Sequence, residues 1–187
     1  TRVYAKVEAT KNGFYRSDDG GFKWTLVNSD PAQVTDRPFY YNEIYVDPVN
    51  ENRIYDIHST VTFSEDGGKS FGTMLPYFGI HPDHHAWWIN PNDANHIIDG
   101  NDGGIGISWD RGKTWVFDDK IPAGQFYHVN VDNNLPYNVM GGMQDNGSWF
   151  GPGYTWNNGS IKNFEWYNVG GGDGFDVMPD ANNGDWV

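Results

Sequence analysis

One eight-residue pattern occurs three times along the chain. It appears as Ser17-Asp18-Asp19-Gly20-Gly21-Phe22-Lys23-Trp24, as Ser64-Glu65-Asp66-Gly67-Gly68-Lys69-Ser70-Phe71, and as Ser108-Trp109-Asp110-Arg111-Gly112-Lys113-Thr114-Trp115. Each copy reads Ser, any, Asp, any, Gly, any, then Lys, Ser or Thr, then an aromatic, and the copies start 47 and 44 residues apart. A near-constant step of this size marks a repeat architecture, and blades of four strands recur every ~40–45 residues. The pattern suits a short hairpin. Gly21, Gly68 and Gly112 supply the positive φ of a tight reversal. Asp19, Asp66 and Asp110 can accept hydrogen bonds from turn N–H groups. Trp24, Phe71 and Trp115 can bury a ring between sheets. A calcium loop needs acidic residues at alternating positions and a distal Glu, which these stretches lack. The carboxylates are therefore read as turn ties.

The residues around each box alternate with period two between Pro, Asn and Gly punctuation. In the second copy Glu43–Asp47, Arg53–Ile57 and Thr60–Phe63 are expected strands. In the third they are Trp87–Asn90, His96–Asp99 and Gly104–Ile107. A fourth copy, degenerate and without a box, has Tyr127–Val131 and Tyr137–Met140. A fifth begins at Gly174–Pro179 and reaches Asp185-Trp186-Val187. No helix is expected. The fold class is all-β: about four blades of a β-propeller, read as an excerpt of a larger one. The boundaries are a remainder of blade 1 at 1–38, blade 2 at 39–80, blade 3 at 81–122, blade 4 at 123–169 and the start of blade 5 at 170–187. The remaining blades are expected from further chain or another subunit, because an open propeller exposes unpaired strand edges. The alternative is a small propeller whose two ends complete one blade.

Composition agrees with a turn-rich β protein. Aromatics make up 17% of the 187 residues, glycine numbers 24, and charged residues are only 20%. Disordered chains are poor in aromatics. The net charge of -13 disfavours nucleic acid, which needs a Lys/Arg surface, and disfavours docking on anionic lipid. No apolar run approaches the ~20 residues of a membrane helix, so no membrane insertion is expected. There is no cysteine, hence no disulfide framework or thiolate chemistry. No cofactor is expected. Asn-Gly-Ser sequons stand at Asn146 and Asn158, although Asn-Gly is also common in turns.

Further stretches resemble a family. They are His81-Pro82-Asp83-His84-His85-Ala86-Trp87-Trp88-Ile89-Asn90, Gly141-Gly142-Met143-Gln144-Asp145-Asn146-Gly147-Ser148-Trp149 and Gly170-Gly171-Gly172-Asp173-Gly174. With the three boxes, they resemble the bacterial sortilin-like, BNR (Asp-box) repeat proteins over nearly the whole chain. Those are similar to sortilin receptors and to xyloglucan-degrading glycoside hydrolases with tandem propellers. The resemblance implies a secreted, periplasmic or cell-surface protein. The cysteine-rich module of sortilin receptors has no counterpart here.

Strand alternation directs attention away from the boxes. If each box joins the third and fourth strands, the turns between second and third strands and the blade-to-blade links lie at the opposite end. That end collects His81, Asp83, His84 and His85 before the first strand of the third blade, and Asn101 and Asp102 after its second. In the fourth repeat it collects Gln125 and Tyr127, then Gln144, Asp145 and Asn146, then Asp173. These are candidate ligand-binding residues, since rigid β scaffolds bind through such loops. Asp102, Asp145 and Asp173 are candidate catalytic carboxyls, because glycoside hydrolysis needs two carboxyls ~5–9.5 Å apart, one with a raised pKa. Each also sits beside or near Gly, as turn-forming Asp does. Trp149, Phe150, Trp156 and Trp166 are candidate sugar platforms, with packing between blades as their alternative. His and carboxylate suit zinc, but neighbours in extended chain point to opposite sides. At most Asp83 with His85, or His84 alone, could share an ion, and no metal site is expected. His58 and His128 read as packed or surface residues. The expected function is binding of an extracellular glycan, with hydrolysis as its extension. The alternatives are a sortilin-like peptide-binding module and a structural surface-assembly component without catalysis.

Overall fold

A computed structural model describes the chain except residues 35–38, 41, 119, 122 and 184–186. The end of the expected blade 1 and the Asp185-Trp186 end of the fifth repeat lie outside the described residues. Four antiparallel sheets follow one another, each a meander with its strands in chain order. The first has three strands, β1 (Val3–Val7), β2 (Gly13–Ser17) and β3 (Thr25–Asn28). The second has β4 (Glu43–Val46), β5 (Ile54–Ile57), β6 (Val61–Ser64) and β7 (Gly72–Leu75). The third has β8 (His84–Ile89), β9 (Ile97–Asn101), β10 (Gly104–Ser108) and β11 (Val116–Asp118). The fourth has β12 (Phe126–Val131), β13 (Asn138–Met143), β14 (Ser148–Pro152) and β15 (Tyr167–Gly170). These are propeller blades, and the chain is all-β. It divides into two compact units, Thr1–Ile121 with three sheets and Pro122–Val187 with one.

In the first unit the apolar faces pack sheet against sheet. Phe14, Val34 and Ile54 form one buried cluster, with Phe71 against it. Tyr55, Ile57, Val61, Leu75, Trp87 and Ile97 form another, with Trp115 against it. The closing aromatics of the second and third boxes thus sit beside the core, whereas Trp24 of the first is exposed. All four residues of β5 are buried, because this strand has a covered sheet on both faces and so does not alternate. Its one charge, Asp56, is matched from the preceding sheet. Lys6 Nζ donates to both Asp56 oxygens, at 2.8 and 2.6 Å, and the two side chains are 4% and 1% exposed. Burial makes the pair depend on that geometry.

The three boxes share one hydrogen-bond plan. The Ser hydroxyl donates to its Asp at 2.8, 2.8 and 2.9 Å. It accepts the Gly N–H at 2.8, 2.9 and 2.8 Å. The same Asp oxygen then accepts two consecutive N–H groups, those of Phe22 and Lys23, Lys69 and Ser70, and Lys113 and Thr114. Ser70 and Thr114 add a hydroxyl bond to the second oxygen; Lys23 has no hydroxyl to offer. Gly68 and Gly112 have φ of 87° and 84°. A Cβ at Gly68 would lie 2.4 Å from the Phe14 ring, and one at Gly112 would lie 2.5 Å from Met74 Sδ. At both positions the positive φ favours glycine, and at Gly68 the buried Phe14 ring closes the space as well.

Two expectations are corrected. A one-turn helix, α1 (Pro31–Val34), follows β3, and a 3-10 turn spans Asn163–Glu165. Asp30 Oδ1 accepts the Ala32 N–H at 3.0 Å, so Asp30 caps the turn and Pro31 takes the first helical position. Val34 on this turn is fully buried. The expected opening strand at Gly174–Pro179 forms no ladder. The backbone instead crosses β13, where a Cβ on Gly142 would lie 2.2 Å from Gly174. Asn130 Nδ2 donates to the Val177 carbonyl at 2.8 Å.

Candidate functional site

The end of the third blade away from its box is built from three turns of the first unit. His58 and Ser59 follow β5; His81, Pro82 and Asp83 precede β8; Asn101, Asp102 and Gly103 join β9 to β10. Backbone bonds join them. Asp83 N–H donates to Ser59 O at 3.3 Å, His84 N–H to His58 O at 2.9 Å, and Asp102 N–H to Asp83 O at 3.3 Å. Asp83 has φ of 61°, a left-handed conformation that Asp tolerates better than most residues. Asn101 Oδ1 accepts the Gly103 N–H at 3.0 Å. The His81 ring covers Gly103, where a Cβ would approach it to 2.4 Å.

β8 begins earlier than expected, at His84, and its register against β9 shifts between His84 and Ala86. The bulge decides where the two histidines go. His84 is fully buried, with Nδ1 2.9 Å from each Asp99 oxygen. Asp99 also accepts Asn101 Nδ2 at 3.0 Å. His84 is thus an interior residue, and its expected role as a ligand at the mouth is corrected: it has no surface to offer. His85 faces outward. Its Nε2 lies 3.2 Å from Asp102 Oδ1, and its ring meets Tyr40 edge-on at 5.6 Å between centroids.

A carboxylate oxygen of Asp83 comes within 4.8 Å of one of Asp102. Burial pushes the Asp102 carboxyl above the usual range; His85 opposes that rise and the charge of Asp83 adds to it. Asp102 therefore holds its proton more readily than an ordinary Asp.

The structure brings His81, Asp83, His85, Asn101 and Asp102 together in the first unit. The remaining candidates lie in the second. There Asp173 Oδ1 accepts the Asp145 N–H at 3.0 Å, with Asp145 at φ 54°. Asn146 Nδ2 donates to Gln144 O at 2.9 Å, and Trp149 Nε1 donates to Asn146 O at 2.7 Å. This is a turn held by its own polar groups. Gln125 is exposed at the start of β12, and Tyr127 stacks on Phe175 at 4.9 Å. Sequence reasoning did not include Tyr40, His58, Ser59 or Asp99 in the site. Asp99 had a readable signal: it occupies in β9 the position that Asp56 occupies in β5, both two residues after the Ile that pairs with the box Ser.

No family model matches the chain, and neither does any curated protein. Among solved structures, the chain is similar to an ancestral GH74 enzyme, at 19% identity and a TM-score of 0.48 over 80% of this chain and 21% of that one. It is similar to the GH74 xyloglucanase from Xanthomonas campestris, at 14% identity and a TM-score of 0.45 over 80% of this chain and 27% of that one. It is also similar to YCF48 from Cyanidioschyzon merolae, at 12% identity and a TM-score of 0.44 over 86% of this chain and 52% of that one. The chain thus spans between about a fifth and a half of the length of these structures.

Proposed function

We propose that this chain is part of a secreted BNR-repeat propeller protein that binds extracellular glycan at the Asp83–Asp102 end of its third blade and hydrolyses it there. The observation that carries the reading is the pair itself: two carboxyls whose oxygens approach within 4.8 Å, one of them pushed toward its protonated form by burial. Unequal carboxyls at short range are what acid-assisted glycosidic cleavage requires, and a separation of ~5–5.5 Å goes with a carboxylate acting as nucleophile. In this assignment the Asp102 carboxyl donates its proton to the leaving glycosidic oxygen. Asp83 bonds to the sugar carbon as the glycosidic bond breaks, and a water deprotonated by Asp102 then displaces the sugar from Asp83. His85, 3.2 Å from Asp102, orients the acid. The repeated box geometry supports the family reading. Among the described residues, no helix is long and apolar enough to cross a membrane.

The test is a reducing-end assay over a panel of soluble polysaccharides. Turnover by the unaltered protein should fall about 10²–10⁴-fold in Asp102→Asn, the range attributable to a positioned acid, and comparably in Asp83→Asn. Asp145→Asn and Asp173→Asn should change it far less. Turnover unaffected by either of the first two substitutions would remove this pair as the catalytic groups.

A further inference from the structure

The fourth blade has no box. Its third and fourth strands are joined instead by residues 153–166, and exposed rings stand on this connection and beside it. Trp156 is 86% exposed, Phe164 76%, Tyr167 62%, Tyr154 53% and Tyr137 49%. Phe164 and Tyr167 line a cavity of about 280 Å³ together with Asn138, Phe150, Pro152 and Glu165. The loop is held in shape by one carboxylate. Glu165 Oε1 accepts Thr155 Oγ1 at 3.0 Å and Asn157 Nδ2 at 3.1 Å, and Oε2 accepts the Lys162 N–H at 2.7 Å. Gly153 N–H donates to Tyr137 O at 2.9 Å, and the Tyr137 ring lies so close to Gly153 that a Cβ there would approach it to 2.5 Å. Tyr154 and Trp156 meet edge to face at 5.0 Å. The backbone that carries the rings is thus braced before any ligand arrives, which lowers the ordering cost of binding.

From this arrangement we infer a second binding surface on the fourth blade, taking a neutral glycan chain. The chemistry around the rings selects that class. Between residues 153 and 168 the only charged side chains are Lys162 and Glu165, the only aliphatic one is Ile161, and there is no Arg. Protein interfaces combine aromatics with Met and Arg, and nucleic acid needs a basic surface, against a net charge of -13 here. What surrounds the rings is amide and hydroxyl: Asn157, Asn158, Ser160, Asn163 and Asn168. Flat ring faces that bury the C–H faces of pyranose rings, with amides in reach of their hydroxyls, match an uncharged polysaccharide. This surface belongs to the second unit and does not depend on the reading of Asp83 and Asp102.

Native affinity electrophoresis of the full chain through gels carrying hydroxyethyl cellulose or galactomannan tests it. The protein should be retarded by at least one of them. Trp156→Ala and Phe164→Ala should each weaken that retardation about tenfold, the effect of one lost ring contact, and Trp156→Phe should restore most of it. Phe22→Ala removes an equally exposed ring (90%) outside the surface and should migrate like the unaltered protein. Free migration in both gels overturns the proposal. So does retardation unchanged by Trp156→Ala and Phe164→Ala, or weakened as much by Phe22→Ala. Unchanged retardation in the loop variants, with turnover lost in Asp102→Asn, would refute this surface and leave the Asp83–Asp102 reading standing.

Discussion

The two ends of the third blade each present an aspartate in a Gly-containing turn, Asp110 at one and Asp102 at the other, and their carboxyls are driven in opposite directions. At Asp110 the Thr114 hydroxyl and N–H, then Ser108 and the Lys113 N–H, hold the ionised form and bring the pKa to about 2. At Asp102 burial dominates and raises it. One turn supplies donors to the negative charge; the other withdraws water from it. A carboxylate of the first kind is spent on holding its own backbone. One of the second kind retains a proton that it can give away. The local sequences, Ser-Trp-Asp-Arg-Gly and Gly-Asn-Asp-Gly-Gly, share the Asp and the Gly two residues after it. The deciding difference is the Ser two residues before Asp110, which is buried and orders the turn.

The contrast can be broken at several points. The largest effect belongs to Asp102→Asn, where turnover should drop about 10²–10⁴-fold. Thermal stability at neutral pH should hold or rise, because a raised folded-state pKa means that ionised Asp102 weakens the fold as pH increases through that pKa. A fall in melting temperature with turnover intact would reverse the assignment. Next comes the third environment of an aspartate in this chain, the buried Asp56. Lys6→Ala leaves it without its cation and should cost about 3–5 kcal/mol in denaturant unfolding; a cost below 1 kcal/mol would mean that water reaches the pair. Ser108→Ala, which removes the organiser of the Asp110 turn, should cost about 1–3 kcal/mol and should leave turnover unchanged. The smallest effect is in the pH dependence of Asp110→Asn. The folded-state pKa is lowered, so the stabilisation is complete above the ordinary value of 3.8 and disappears as pH falls toward about 2. Melting curves of Asp110→Asn and the unaltered protein should therefore converge near pH 2 and separate above pH 4. Separation that persists at pH 2 would show that the carboxylate charge is not what holds the turn.

What could be read from the sequence tracks how local each interaction is. Every bond of a box lies within the same eight residues, so Ser17–Trp24 and its two counterparts carry their own geometry. The end holding Asp102 was legible from strand alternation alone. His84 was not, because the bulge between His84 and Ala86 resets the alternation and sends that ring inward to Asp99. Tyr40 reaches His85 from a link in another repeat, a distance no spacing rule covers. Four residues are too few for helical periodicity, so α1 was visible only in the Asp30-Pro31 dipeptide. Trp156 and Trp166 of the 153–166 connection were readable as candidate sugar platforms, but the Glu165 brace that ties Thr155 and Asn157 was not, since it spans eight to ten residues without a repeat pattern.

Lys6 and Asp56 also bear on how such a chain can change over time. Repeats that share a box look interchangeable, and duplication or shuffling of whole units is an accessible route to new lengths. Here Asp56 of the second repeat takes the Lys6 ammonium from the repeat before it, while in the third Asp99 meets His84 of its own repeat. Placing another repeat in front of the second would take the Lys6 ammonium away from the buried Asp56. The order of these units is therefore written in their interior, and recombination between them is permitted at some junctions and closed at this one.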